Sequence, residues 1–114
     1  MENPTDSVLL RIFIGEAARH NHQPLYEALV LKARELHLAG ATVTRCTMGY
    51  GKSSLLHTTK ILRLSDDLPV IVEILDSEEK IDAFLPVLDQ MMPAGLATLE
   101  KVRVIHYRGL PASP

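Results

Sequence analysis

Four short runs of aliphatic and β-branched residues alternate with two helix-period segments and one glycine-bearing stretch, and this order leaves the chain few folds to choose from. Residues 8–14, Val-Leu-Leu-Arg-Ile-Phe-Ile, predict a strand that stops at Gly15. The polar stretch 16–23 reads as a loop. Pro24 suits the first turn of a helix, where its missing N–H costs nothing. Leu25, Leu29, Ala33 and Leu36 then recur at helical spacing, which predicts a helix over 24–38 with Gly40 as its stop. Residues 41–47 are mostly β-branched and predict the second strand. The stretch 48–60 has two glycines, the hydroxyls Ser53, Ser54 and Thr58, and no period, so it reads as a long loop. Residues 61–64 extend as a strand arm, and Asp66-Asp67 marks a turn.

Residues 69–75 predict the third strand, whose opening proline is tolerated at a strand start. Asp76 or Ser77 can cap the helix that follows, and Asp76-x-x-Glu79 has capping-box spacing. Ile81, Phe84, Leu85, Leu88, Met91 and Met92 form one apolar face. Pro86 falls inside this helix and is expected to kink it. Pro93-Ala94-Gly95 ends it, and residues 99–107 predict the fourth strand.

The order β-α-β-β-α-β is that of an α+β, ferredoxin-like sandwich: a four-stranded antiparallel sheet with both helices on one face. At 114 residues one domain over 1–114 is expected, with loose ends at about 1–7 and 109–114. Side chains alternate along each strand. Val8, Leu10, Ile12 and Ile14 oppose Leu9 and Phe13; Val70, Val72 and Ile74 oppose Ile71 and Leu75; Val102 and Val104 oppose Ile105 and Tyr107. The helices can cover only one face. An apolar second face is too large a patch for a monomer, so the pattern predicts a homo-oligomer.

Composition narrows the function classes. The net charge of -2 gives no general attraction for nucleic acid or anionic membrane, and aromatics at 4% supply no stacking platform for bases. The single cysteine, Cys46, excludes an intramolecular disulfide framework and a cysteine-rich zinc site. No apolar run is long enough to span a bilayer, and the polar start lacks the pattern of a signal peptide, so a cytoplasmic location is expected.

Gly49-Tyr50-Gly51-Lys52-Ser53-Ser54 follows a strand and gathers backbone N–H groups, a cation and hydroxyls, a combination able to wrap an anion such as phosphate. It is not a Walker A motif, because Cys46 stands where the first glycine is required. The same glycines also suit a loop that merely turns. Arg45, Lys52, His57, Lys60 and Arg63 cluster around it and would suit a phosphate or an acidic partner, although such charges more often form a solvated face. His20-x-His22 has no cysteine near it and only Glu16 as a neighbouring carboxylate, which fits an exposed loop better than a metal site. His37 suits the C-terminal dipole of a helix. Cys46 in a strand behaves as a small apolar residue. Ser53 and Ser54 lie near His57, but no acid in the loop orients that histidine, so nothing points to nucleophilic catalysis.

These runs together resemble the PII-like signal-transduction proteins, and most closely an uncharacterised PII-like subfamily of short bacterial and archaeal chains. The resemblance spans Leu10 to Tyr107. It rests on Leu10-Arg11-Ile12-Phe13-Ile14-Gly15-Glu16, Pro24-Leu25-Tyr26-Glu27, Gly40-Ala41-Thr42-Val43, and Leu68-Pro69-Val70-Ile71-Val72-Glu73-Ile74 followed by Asp76-Ser77. It implies a homotrimer with ligand clefts between subunits. In the PII proteins proper, a long loop after the second strand responds to adenine nucleotide and docks onto target proteins. Gly49-Tyr50-Gly51 looks like the start of that loop, with Lys52 as the basic residue that follows. The stretch around Gly95, Leu96 and Thr98 stands where that family has a second phosphate-contacting loop. Two departures stand out: Gly95 has no lysine beside it, and Tyr50 sits at the loop's base rather than near its tip, where those proteins carry a modifiable tyrosine.

The expectation is therefore a regulatory protein rather than an enzyme. It needs no cofactor. It would bind ATP, ADP, AMP, cyclic AMP or another small anion through Gly49, Tyr50, Gly51 and Lys52, with Arg45, Gly95, Leu96 and Thr98 as weaker contacts. It would signal through 48–60 to a target such as a transporter or an enzyme. The alternative is a trimeric metal- or stress-related binding protein without a nucleotide site.

Overall fold

The structure is a computed structural model, and it describes residues 6–51 and 67–110. The elements in chain order are β1 (Ser7–Gly15), β2 (Arg19–His20), β3 (Gln23–Pro24), α1 (Leu25–Glu35), β4 (Gly40–Arg45), β5 (Pro69–Ser77), α2 (Glu78–Met91) and β6 (Leu96–Val102). The main sheet has the order β4-β5-β1-β6 and every pair is antiparallel. Each helix carries the chain past one intervening strand, and the result is the ferredoxin-like fold.

The alternation read from the sequence is the burial pattern of the sheet. Val8, Leu10, Ile12 and Ile14 of β1 and Val70, Val72 and Ile74 of β5 are buried beneath the helices. They pack with Leu25, Ala28, Leu29 and Ala33 of α1 and Ile81, Phe84, Leu88 and Met91 of α2. These side chains form one continuous core between two central strands and one helical layer.

The end of α1 differs from the sequence reading, while α2 takes one of the two caps expected of it and stops just before Pro93. α1 stops not at Gly40 but at His37, which takes a left-handed φ of 60°. The Leu38 N–H donates to the Ala33 carbonyl and the His37 N–H to the Arg34 carbonyl, both at 3.0 Å. This is the Schellman arrangement, with histidine where glycine is usual. Gly40 is free to open β4. The α2 cap is Ser77, whose Oγ accepts from the Lys80 N–H at 3.3 Å. Asp76 does something else. Its carboxylate, almost fully buried, accepts from the Ala39 N–H at 2.8 Å and from the Ser77 N–H at 2.6 Å. It thereby ties the end of β5 to the α1–β4 turn. α2 runs through Pro86, which faces solvent. The carbonyl that proline cannot bond then has water available.

Three further readings change. Residues 16–23 are not a loop throughout, because β2 and β3 form a hairpin. Asn21 and His22, with φ of 49° and 70°, supply the two positive-φ positions that a tight hairpin needs. The fourth strand begins three residues earlier than expected and ends at Val102, so Ile105 and Tyr107 belong to the segment beyond it. There the Tyr107 hydroxyl donates to the Ala39 carbonyl at 2.8 Å. Ser7, at the margin of the expected loose N-terminal end, is a buried strand residue.

The open face of the sheet is not wholly apolar. Leu9 and Phe13 of β1 and Ile71 and Leu75 of β5 lie on it, half-buried. Between them Arg11 stands opposite Glu73 in register and donates to its Oε2 from Nε at 3.1 Å and from Nη2 at 2.9 Å. Glu100 of β6 approaches Arg11 at 4.0 Å. On this face Leu9, Phe13, Ile71 and Leu75 flank a central ion pair along β1 and β5, with Thr98 and Thr42 beside it on the neighbouring strands.

Candidate functional site

Antiparallel pairing places the end of β4, the start of β5, the end of β1 and the start of β6 together at one end of the sheet. All the described candidate residues except Thr98 lie there, but on two edges. Arg45 ends β4, and Gly49, Tyr50 and Gly51 follow it. Gly95 precedes β6, Leu96 opens it, and Thr98 sits farther along it, opposite Arg11 on the open face. With β5 and β1 between them, the two edges are three strand spacings apart, about 14 Å.

β1, β5 and the end of β4 are closely tied at this end. The Glu16 N–H donates to the Leu68 carbonyl at 2.8 Å, the Ala17 N–H to Asp67 Oδ1 at 2.7 Å, and the Cys46 N–H to the Pro69 carbonyl at 3.0 Å. Cys46 therefore lies just past β4 rather than inside a strand. Tyr50 is 77% exposed and stands out from the surface. A Cβ at Gly49 would meet the Pro69 ring at 3.1 Å. Lys52, Ser53, Ser54, Thr58, His57, Lys60, Arg63, the 61–64 arm and Asp66 lie outside the described residues, as does most of the 48–60 loop.

Arg45 is the basic residue of that group that the structure places. It projects from the helix side of β4 toward the first turn of α1. Its Nε lies 3.3 Å from Glu16 Oε1, and its Nη2 donates to the Tyr26 hydroxyl at 3.3 Å. The guanidinium carbon stands 6.0 Å from the centre of the Tyr26 ring, within cation–π range. The Tyr26 hydrogen bond, and then the Glu16 carboxylate, raise the Arg45 pKa above its ordinary value. The sequence reading missed Glu16 and Tyr26 as companions of Arg45. No local motif signals them, since one follows β1 and the other opens α1. Only the sheet order brings them to β4.

On the other edge Gly95 has φ of 127°, and a Cβ there would stand 2.7 Å from the Phe13 carbonyl oxygen. Beside it lies a shallow hollow of about 250 Å³, walled by Leu85, Leu88, Asp89, Met92 and Ala97. Leu96 is exposed. A second hollow of about 210 Å³ lies by the β2–β3 hairpin, between His20, Gln23, Leu31 and Met91. His20 Nε2 is 3.3 Å from Asn21 Nδ2. Among the described residues no group of three or more His, Cys, Asp or Glu side chains could hold a metal ion. No described helix is long and apolar enough to cross a membrane.

Residues 7–104 match the DUF190 family, described as uncharacterized ACR. A UPF0166 protein of Aquifex aeolicus is 45% identical over 98 residues, covering 86% of this chain and 92% of its own. A UPF0166 protein of Methanocaldococcus jannaschii is 32% identical over 84 residues, covering 74% of this chain and 77% of its own. Among solved structures, one described as a PII-like signaling protein of Thermus thermophilus superposes with a TM-score of 0.64. Its sequence is 22% identical, and the match covers 89% of this chain and 91% of that one. CPII of Thiomonas intermedia, bound to ADP, AMP and acetate, superposes with a TM-score of 0.59 at 15% identity, covering 89% and 90%. These solved structures share the fold of this chain.

Proposed function

This chain belongs to the DUF190 family, and we propose that it is a PII-like regulatory protein that binds an adenine nucleotide or a similar small anion between copies of itself. One observation carries the reading. The strand ends that carry the two glycine-bearing stretches stand at the same end of the sheet but at opposite edges, β4 and β6, about 14 Å apart. An assembly that sets the β4 edge of one copy beside the β6 edge of the next would bring them together. The half-buried apolar residues of the open face, Leu9, Phe13, Ile71 and Leu75, supply a surface for such an assembly, and a trimer is the form proposed. The solved CPII structures hold ADP and AMP on the same fold, which supports an adenine nucleotide as the ligand class.

In this reading Gly49 and Gly51 offer backbone N–H groups, and Lys52 and Arg45 offer charge. Tyr50, Gly95 and Leu96 would line the cleft, with Thr98 a more distant contact farther along β6. The ligand would favour one arrangement of the 48–60 loop, through unequal affinity for its states, and so alter docking onto a target such as a transporter or an enzyme. The protein acts by binding, not by turnover, and works in the cytoplasm.

Calorimetric titration with ATP, ADP, AMP and cyclic AMP tests the proposal. Saturable binding of at least one, with a stoichiometry of one per chain, is expected. Absence of binding by all four at millimolar concentration would contradict it.

A further inference from the structure

We infer that Glu16 and Tyr26 form an internal latch on Arg45, which an anionic ligand must displace and which therefore sets the affinity of the site. The latch rests on the reading of Arg45 as a phosphate contact and adds to it two residues that tune that contact.

The geometry distinguishes the fixed half of the latch from the moving half. Glu16 is held by its backbone, whose N–H donates to the Leu68 carbonyl, and its side chain is 33% exposed. Tyr26 belongs to the first turn of α1. Arg45 is the exposed partner, at 66% of its side chain, and ends its strand immediately before the glycine-bearing segment. Its guanidinium spends one N–H face on Glu16 and Tyr26. Five N–H groups in a planar fork are available to arginine, so part of the fork is left to meet an approaching oxyanion.

The energetics favour exchange. An exposed ion pair is weak, because water screens it and two flexible side chains must be ordered to make it. A phosphate group carries more charge than one carboxylate and accepts two parallel N–H bonds from arginine. Arg45 would therefore leave Glu16 for a nucleotide phosphate. Glu16, part-exposed, can be hydrated when released. Without ligand, the same contact holds Arg45 against the first turn of α1. Glu16 thus acts as a competing anion built into the chain.

Calorimetry with ADP on the full chain and on Glu16→Gln, Arg45→Ala and the double variant tests the latch. Glu16→Gln is expected to bind ADP about two- to fivefold more tightly. Arg45→Ala is expected to bind more weakly, and adding Glu16→Gln to it should change nothing further. Tyr26→Phe, which removes only the hydroxyl acceptor, provides a second route and should also tighten binding. Wild-type binding with no gain in either single variant would overturn the latch alone. So would a gain from Glu16→Gln that persists without Arg45, since it would reflect general charge. Failure of the parent chain and every variant to bind ADP would overturn the nucleotide reading and the latch with it.

Discussion

The Cα of Gly95 lies so close to Phe13 that a Cβ built on it would stand 2.7 Å from the Phe13 carbonyl oxygen. Gly95 also has a φ of 127°, a conformation L side chains rarely adopt. Both restrictions act at the first step of β6, where Leu96 pairs with Phe13. Gly95→Ala is therefore expected to destabilise the protein by about 2–4 kcal/mol, from backbone strain and overpacking together. The shift in the urea midpoint measures this. A variant as stable as the parent would mean that β6 does not start here.

Asp76 is a buried carboxylate whose two oxygens each accept a backbone N–H, from Ala39 and from Ser77. Asp76→Ala leaves both donors without this acceptor and should cost about 2–3 kcal/mol. Asp76→Asn keeps one accepting oxygen and should cost less. The order of the three proteins in equilibrium unfolding checks this, with the slope against denaturant unchanged.

His37 closes α1 in the left-handed region, where a side chain is strained and glycine is not. His37→Gly is expected to add about 0.5–1 kcal/mol of stability. The gain should appear as a rise of a few degrees in the thermal midpoint. A fall would show that the Schellman ending is not populated, because glycine elsewhere loosens the unfolded chain at no return.

Much of the fold is legible in the sequence because burial on one side imprints a period. Val8, Leu10, Ile12 and Ile14 alternate since helices cover one face of β1, and Ile81, Phe84 and Leu88 repeat since α2 lies on that face. The period fades where that cause is missing. β6 is an edge strand exposed along nearly all its length, so Leu96-Ala97-Thr98-Leu99 carries no alternation to mark its start. The hairpin is hidden because Asn21 and His22 take positive φ without a glycine to announce it. The charged centre of the open face is hidden because Arg11 and Glu73 become neighbours only once the β1–β5 register is known. The candidate site follows the same rule. Its glycine-bearing segments are local features and can be read directly. The Arg45 contacts to Glu16 and Tyr26 join three distant elements and require the sheet order.

The central claim is that copies of this chain assemble to hold an adenine nucleotide between them. Native mass spectrometry of the protein with ADP reads assembly and ligand together. The expected result is a species of three 12.6 kDa chains that carries the nucleotide, with none retained on single chains. A monomer that binds ADP alone, or a trimer that takes up no nucleotide at saturating concentration, would contradict it.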